Sequence, residues 1–217
     1  MNWPLAVDPS LLSSNEEEKK YRGQTIIEMF LEHEITGNFL EIGCKDGYAT
    51  LHASKYAIFS VGYDDTCKRF QEKNCLLTNN FNDVYRYKPY QIVLMFDIIN
   101  HIKDPKKILL EINKITDYKS FLYVRTHPWQ SRNATHEENN LAYIHLYKNI
   151  SSNHSKINID DKTFQSCGYK IVKKREIHEE IEPFFLKQKE KLINAKETPK
   201  TLQYVDYILK KNDLFFL

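Results

Sequence analysis

Five side chains with chemical potential fall within twelve residues of this 217-residue chain: Arg125, His127, Trp129, Arg132 and His136. A neutral imidazole takes up a proton near pH 7, so His127 is the first candidate for a general base and His136 the second. The planar guanidiniums of Arg125 and Arg132 suit a phosphate or a carboxylate, and Trp129 offers a face on which a sugar or an aromatic ring can stack. Each has an ordinary use as well: a histidine braces loops, Arg125 can pair with a neighbouring acid, and Trp129 can pack in a core. The second stretch of interest is Asn38-Phe39-Leu40-Glu41-Ile42-Gly43-Cys44-Lys45-Asp46-Gly47, in which an apolar strand runs into an acid and then two glycines four residues apart. Glycine at the end of a strand lets the backbone pass close to a ligand, and the N–H groups that open the following helix point toward it.

The elements that must position these groups follow from periodicity. A chain of this length supports one sizeable core, so a single domain over residues 1–217 is expected. Within it, residues 1–36 read as an arm and a helix, 37–126 as a nucleotide-binding half, and 127–163 and 177–200 as insertions that cap the substrate side. Ser14 with Glu17 resembles a capping box for a helix reaching about Glu34. Strands are expected at 39–42, 57–63, 75–78, 90–96, 120–124, 170–175 and 202–209, with helices at 48–55, after Asp104-Pro105, at 137–148 and at 179–196. The run Tyr90-Gln91-Ile92-Val93-Leu94-Met95-Phe96 is continuously apolar, as suits a strand covered on both faces. Strands alternating with helices predict an α/β fold: a doubly wound, mostly parallel, seven-stranded sheet with helices on both faces and an antiparallel last strand. Ligands in such folds bind at the carboxyl ends of the strands.

Composition narrows the setting. A formal net charge of +2 favours no polyanionic partner, and the basic runs are flanked by acids. The 4 cysteines contain no C-x-x-C pair, which predicts free thiols and a cytoplasmic location rather than zinc or a disulfide framework. No apolar run approaches the ~18 residues of a membrane span, so no membrane partner is expected. His127 and His136 are separated by an irregular loop and Asp160-Asp161 reads as a helix cap, so no metal site is expected.

Four segments together resemble the class I (Rossmann-like) S-adenosylmethionine-dependent methyltransferases. Glu41-Ile42-Gly43-Cys44-Lys45-Asp46-Gly47 is similar to the family's E/D-x-G-x-G-x-G, with Lys45 in place of the middle glycine. Val61-Gly62-Tyr63-Asp64 is similar to its second strand end. Tyr90 to Pro105 resembles F-D-L-V-x-x-x-x-V-L-E-H-V-x-D-P, and Cys167-Gly168-Tyr169-Lys170-Ile171-Val172 resembles A-G-F-x-V-V. The resemblance implies S-adenosyl-L-methionine as cofactor, held by Glu41, Gly43, Cys44, Gly47, Asp64, Asp65, Asn79, Phe96, Asp97 and Ile98. Asp64 would accept from the ribose diol, Glu41 would meet the methionine amine, Asn79 or Asn80 would read the adenine amine, and Phe96 or Ile98 would flank the ring. On the acceptor side it implies His127 as base with His136 and Arg132 beside it, and Trp129, Arg125 and His101 as substrate contacts.

Methyl transfer from a sulfonium needs an aligned acceptor, exclusion of water and, for a hydroxyl, a base. The His/Trp/Arg loop favours O-methylation of a small polar acceptor such as a sugar, glycan or nucleotide-linked metabolite. Two other readings stand beside it. The Lys-rich second insertion and the basic strand 170–175 would serve RNA or protein methylation. Lys45 in the glycine turn would suit a regulatory subunit that binds the cofactor without catalysis. The oligomeric state is left open.

Overall fold

The computed structural model describes residues 36–96, 98–99, 102, 104–126, 159–180 and 201–212, with backbone only at 176–180 and 201–204. The expected helices ending at Glu34 and spanning 137–148 lie outside the described residues. Strands β1 (Asn38–Ile42), β2 (Ser60–Tyr63), β3 (Phe70–Glu72), β4 (Cys75–Thr78), β5 (Tyr90–Phe96), β6 (Thr116–Thr126), β7 (Tyr169–Glu180) and β8 (Thr201–Lys211) form one sheet in the order β3-β4-β2-β1-β5-β6-β8-β7. The five strands β4, β2, β1, β5 and β6 are parallel, and β8 runs antiparallel to both β6 and β7. Helices α1 (Tyr48–Ala53), α2 (Phe81–Val84), α3 (Pro105–Ile115) and α4 (Asp161–Ser166), with a 3-10 turn at Tyr85–Tyr87, complete the described elements.

The parallel sheet is apolar through its whole thickness. Successive residues of β5 point to opposite faces: Val93 and Met95 join the core with α2, α3 and α4, whereas Ile92, Leu94 and Phe96 join the core with Ala49 and Ala53 of α1. All five are buried, which explains why this strand reads as a continuous run rather than an alternation. Helix α3 opens as its sequence suggests. Asp104 accepts from Lys107 N at 3.0 Å and Pro105 occupies the first turn, where a missing N–H costs nothing. Asp160 caps α4 in the same way, closing a reciprocal box with Thr163.

Three departures from the sequence reading have physical causes. The sheet has eight strands rather than seven, because β3 pairs antiparallel with β4 at the edge. No helix lies between β2 and β4. The stretch after Asp64 crosses the carboxyl side of the sheet and returns as β3, since too few residues are available there for a helical crossover. The third departure is the expected helix at 179–196: its first two residues belong to β7, where Glu179 faces Leu202 and Glu180 faces Thr201 in the β8 ladder. Glutamate favours helix only weakly, and hydrogen bonds to a partner strand outweigh it.

Ile112 is fully buried between α3 and the sheet. Ile112→Ala is therefore expected to lower unfolding stability by about 2–5 kcal/mol. Urea titration should show an earlier midpoint with an unchanged slope.

Candidate functional site

In the strand order, β1 has β2 on one side and β5 on the other, so the winding of the sheet reverses between β1 and β5. The loops leaving the two strands diverge to opposite faces at that point and open a crevice at their carboxyl ends. Gly43 leaves β1 there with φ +80°, and a Cβ on it would stand 2.6 Å from Ile98 Cγ1 beyond β5. Glycine at 43 thus sets how closely the two walls approach. Gly47 has φ +78°, and a Cβ there would lie 2.3 Å from Leu77 Cδ1. Both outer glycines of the motif are required by conformation and by packing together.

Glu41, the penultimate residue of β1, has no exposed surface, and its Oε2 accepts from Thr50 Oγ1 of α1 at 2.6 Å. A buried carboxylate persists only with hydrogen-bond donors around it, and the fold makes room for this one. Gly62 sits opposite Glu41 in the β1–β2 ladder, where a Cβ would meet Thr50 Oγ1 at 2.5 Å. Gly62, Thr50 and Glu41 therefore form a unit; the motif segments held Glu41 and Gly62 but did not point to Thr50.

Asp64 lies at the end of β2, also buried. Its Oδ1 accepts from Thr66 N at 2.9 Å and Thr66 Oγ1 at 2.6 Å, and its Oδ2 accepts from Lys45 N at 3.2 Å. Each carboxylate oxygen offers two acceptor positions, so one ribose hydroxyl fits at Oδ2, and a second requires the Thr66 hydroxyl to turn away. Lys45, where the motif has glycine, adopts φ 51°, which costs a non-glycine residue of order 1 kcal/mol. The hydrogen bond its backbone N–H donates to Asp64 offsets part of that cost. Helix α1 is too short to supply much of a dipole. The polarity of this end of the crevice rests on the two carboxylates.

The other expected contacts divide. Cys44 is buried, its N–H donates to Tyr63 O at 3.2 Å, and its side chain packs with Cys67, Cys75 and Leu77 rather than facing the crevice. Asp65 accepts from Tyr63 Oη, and with no helix after β2 it caps nothing. Asn80 is the N-cap of α2 through Asn82 N, and Asn79 beside it is exposed at the end of β4. Phe96 ends β5 on the same face of the sheet as Glu41, stacked 6.3 Å from Tyr123. Asp97, His101, His127, Trp129, Arg132 and His136 lie outside the described residues.

Arg125 takes its second use. Phe96, Arg125, Asp206 and Arg175 occupy one cross-strand row at the rim of the sheet. The Arg125 guanidinium lies 4.3 Å from the Phe96 ring centre and grips Asp206 with Nε at 2.7 Å and Nη2 at 3.1 Å. Tyr123 Oη at 2.6 Å and Arg175 Nη2 at 3.0 Å also donate to Asp206. Sequence reasoning passed over Asp206, although an acid inside the apolar run of β8 was a visible signal. Burial pushes the Asp206 carboxyl up, but Arg125, Tyr123 and Arg175 outweigh it and hold the group below the ordinary 3.8.

The sequence profile of the methyltransferase-domain family matches residues 15–162, more than half of the chain, and the protein belongs to that family. It is an S-adenosylmethionine-dependent methyltransferase. Solved structures share the fold at low identity. The YcgJ protein from Bacillus subtilis superposes with a TM-score of 0.65 at 14% identity over 88% of this chain and 99% of its own. A putative methyltransferase from Bacillus halodurans gives 0.66 at 9% over 87% and 99%. The N-methyltransferase NodS from Bradyrhizobium japonicum, solved with S-adenosyl-L-homocysteine, gives 0.54 at 9% over 91% and 89%. Comparison with curated proteins finds no match.

Asp206 has a lower pKa folded than unfolded, so its contribution to stability is full above the ordinary aspartate value and is lost as pH falls through the folded one. Asp206→Asn leaves Arg125 buried without its counter-charge and is expected to cost about 3–5 kcal/mol at neutral pH. Denaturant titrations at several pH values should also show a shallower acid-side loss in the variant than in the wild type.

Proposed function

We propose that this protein methylates a hydroxyl of a small polar acceptor, of the sugar, glycan or nucleotide-linked class, at the crevice between β1 and β5. The observation that carries the cofactor side is the pair of buried acids flanking the glycine turn, Glu41 held by Thr50 and Asp64 held by Thr66 and Lys45. Glu41 suits a cationic amine and Asp64 a ribose hydroxyl, while Gly43 holds the Ile98 wall close. When bound, S-adenosylmethionine supplies an electrophilic methyl with a good leaving group already in place.

The chain's own part is to orient the acceptor, keep water out and remove the hydroxyl proton. His127, immediately after β6, is assigned the proton-accepting role, with His136 second and Arg132 stabilising the acceptor's negative charge. Trp129 and His101 are assigned to acceptor binding, and the insertions 127–163 and 177–200, apart from the ends that belong to α4 and β7, to the cap over it. Arg125 is reassigned from direct clamp to support, given its grip on Asp206.

Calorimetric titration of S-adenosylhomocysteine tests the first half. Binding by the wild type, weakened by about 10–100-fold in Asp64→Ala, is the expected outcome, since a charge-assisted hydrogen bond is worth about 1.5–3 kcal/mol. No binding by the wild type overturns the site. Turnover with labelled S-adenosylmethionine against a panel of small acceptors tests the second half. His127→Ala should abolish transfer while sparing cofactor affinity, and salt-sensitive transfer to RNA instead would replace the small-molecule acceptor.

A further inference from the structure

Glu41 on β1, Asp64 at the end of β2 and Asn79 just past β4 stand on three neighbouring strands, each step about 4.8 Å. With a cationic amine at Glu41 and a ribose at Asp64, the base falls on the far side of the ribose, at the end of β4. Two residues there are already engaged: the Thr78 hydroxyl donates to Asp83, and the Asn80 side chain accepts from Asn82 N. Asn79 between them is exposed, and its side chain has no partner among the described residues. We propose that Asp83 is a positioning residue that fixes the turn Thr78-Asn79-Asn80, so that the Asn79 amide oxygen accepts from the 6-amino group of adenine and the site prefers a base that carries this amine. The proposal rests on the cofactor reading above.

Asp83 is 2% exposed and holds both ends of the turn. Its Oδ2 accepts from Thr78 Oγ1 at 2.8 Å, and the same hydroxyl oxygen accepts from Asn80 N at 3.1 Å. Its backbone N–H donates to Asn80 O at 3.0 Å. Burial pushes the Asp83 carboxyl up, but the bonds from Arg69 and Thr78 outweigh it and hold the group below its ordinary value. A carboxylate can only accept, so the Thr78 hydroxyl turns its proton to Asp83 and keeps a lone pair for the Asn80 N–H. The turn is tied to the ribose side as well, because Asp64 N donates to Thr78 O at 3.2 Å.

Helix capping does not account for Asp83, since Asn80 already caps α2. Two arginines reach the acid from solvent instead. Arg69, the residue before β3, donates through Nη1 to Asp83 Oδ2, and Arg86 Nη1 lies 3.3 Å from Oδ1. The Arg69 and Arg86 side chains are mostly exposed and the Asp83 side chain is not, which makes the carboxylate the common anchor. Through Arg69, the link between β2 and β4 takes part in fixing the base-side turn.

Calorimetric titration compares S-adenosylhomocysteine with its analogue carrying purine in place of adenine, which lacks the 6-amino group. The wild type is expected to bind S-adenosylhomocysteine about three- to tenfold more tightly, the range of one hydrogen bond. Asn79→Ala should bring the two affinities together. Asp83→Asn and Thr78→Val should do the same with Asn79 still present, and binding of the purine analogue should change little in all three. Thr78→Val keeps the buried shape and carries the test if Asp83→Asn does not fold. A wild type without the preference, any of the three variants keeping it in full, or an equal loss of affinity for both ligands overturns the proposal. Failure of the wild type to bind either ligand overturns the cofactor reading instead.

Discussion

A carboxyl group with no exposed surface, near the end of the central strand of an otherwise apolar sheet, has to be given hydrogen-bond partners inside the protein. Glu41 receives one from Thr50, and the requirement spreads outward from that contact. Thr50 reaches the acid because α1 packs directly on β1 and β2, and α1 packs there because Gly62 has no side chain in the way. The chain can turn from β1 into α1 so tightly only with Gly43 and Gly47 in left-handed conformations. The glycine turn is the backbone path demanded by one buried acid and the helix that serves it.

A second buried acid, Asp206, organises the other side of the sheet. Asp206, on the antiparallel strand β8, ties Arg125 and Tyr123 of β6 and Arg175 of β7 to one carboxylate. Taking two charges out of water is costly, and replacement of such a pair by hydrocarbon is often neutral. What hydrocarbon would not supply is the fixed angle at which the Arg125 guanidinium meets the Phe96 ring. The parallel half of the sheet holds its acids singly at strand ends, whereas the antiparallel half links charged residues across strands.

Much of this was legible in the residues. Continuous apolarity marked β5, Asp104-Pro105 marked the start of α3, and the acid and glycines near residue 41 marked the crevice wall, because each signal is local in the chain. Contacts made across the sheet were not legible. Thr50 and Thr66 look like ordinary helix and turn residues until folding places them beside Glu41 and Asp64. Arg125 was legible as a cation but not as one already matched, since its partner stands 81 positions further along. Glu179 and Glu180 read as helix because composition is a local quantity and strand pairing is not.

The link between β2 and β4 carries a different consequence. With no helix between β2 and β4, β3 is the outermost strand on that side among the described residues, and all three of its side chains are exposed. An outer strand presents free peptide groups on which another polypeptide can add. Here the strand is only three residues long and is bracketed by Lys68, Arg69 and Lys73. Short length and repeated positive charge are what discourage edge-to-edge growth into larger sheets. Among the described residues, the absence of that helix leaves a sheet border that is both brief and flanked by positive charge.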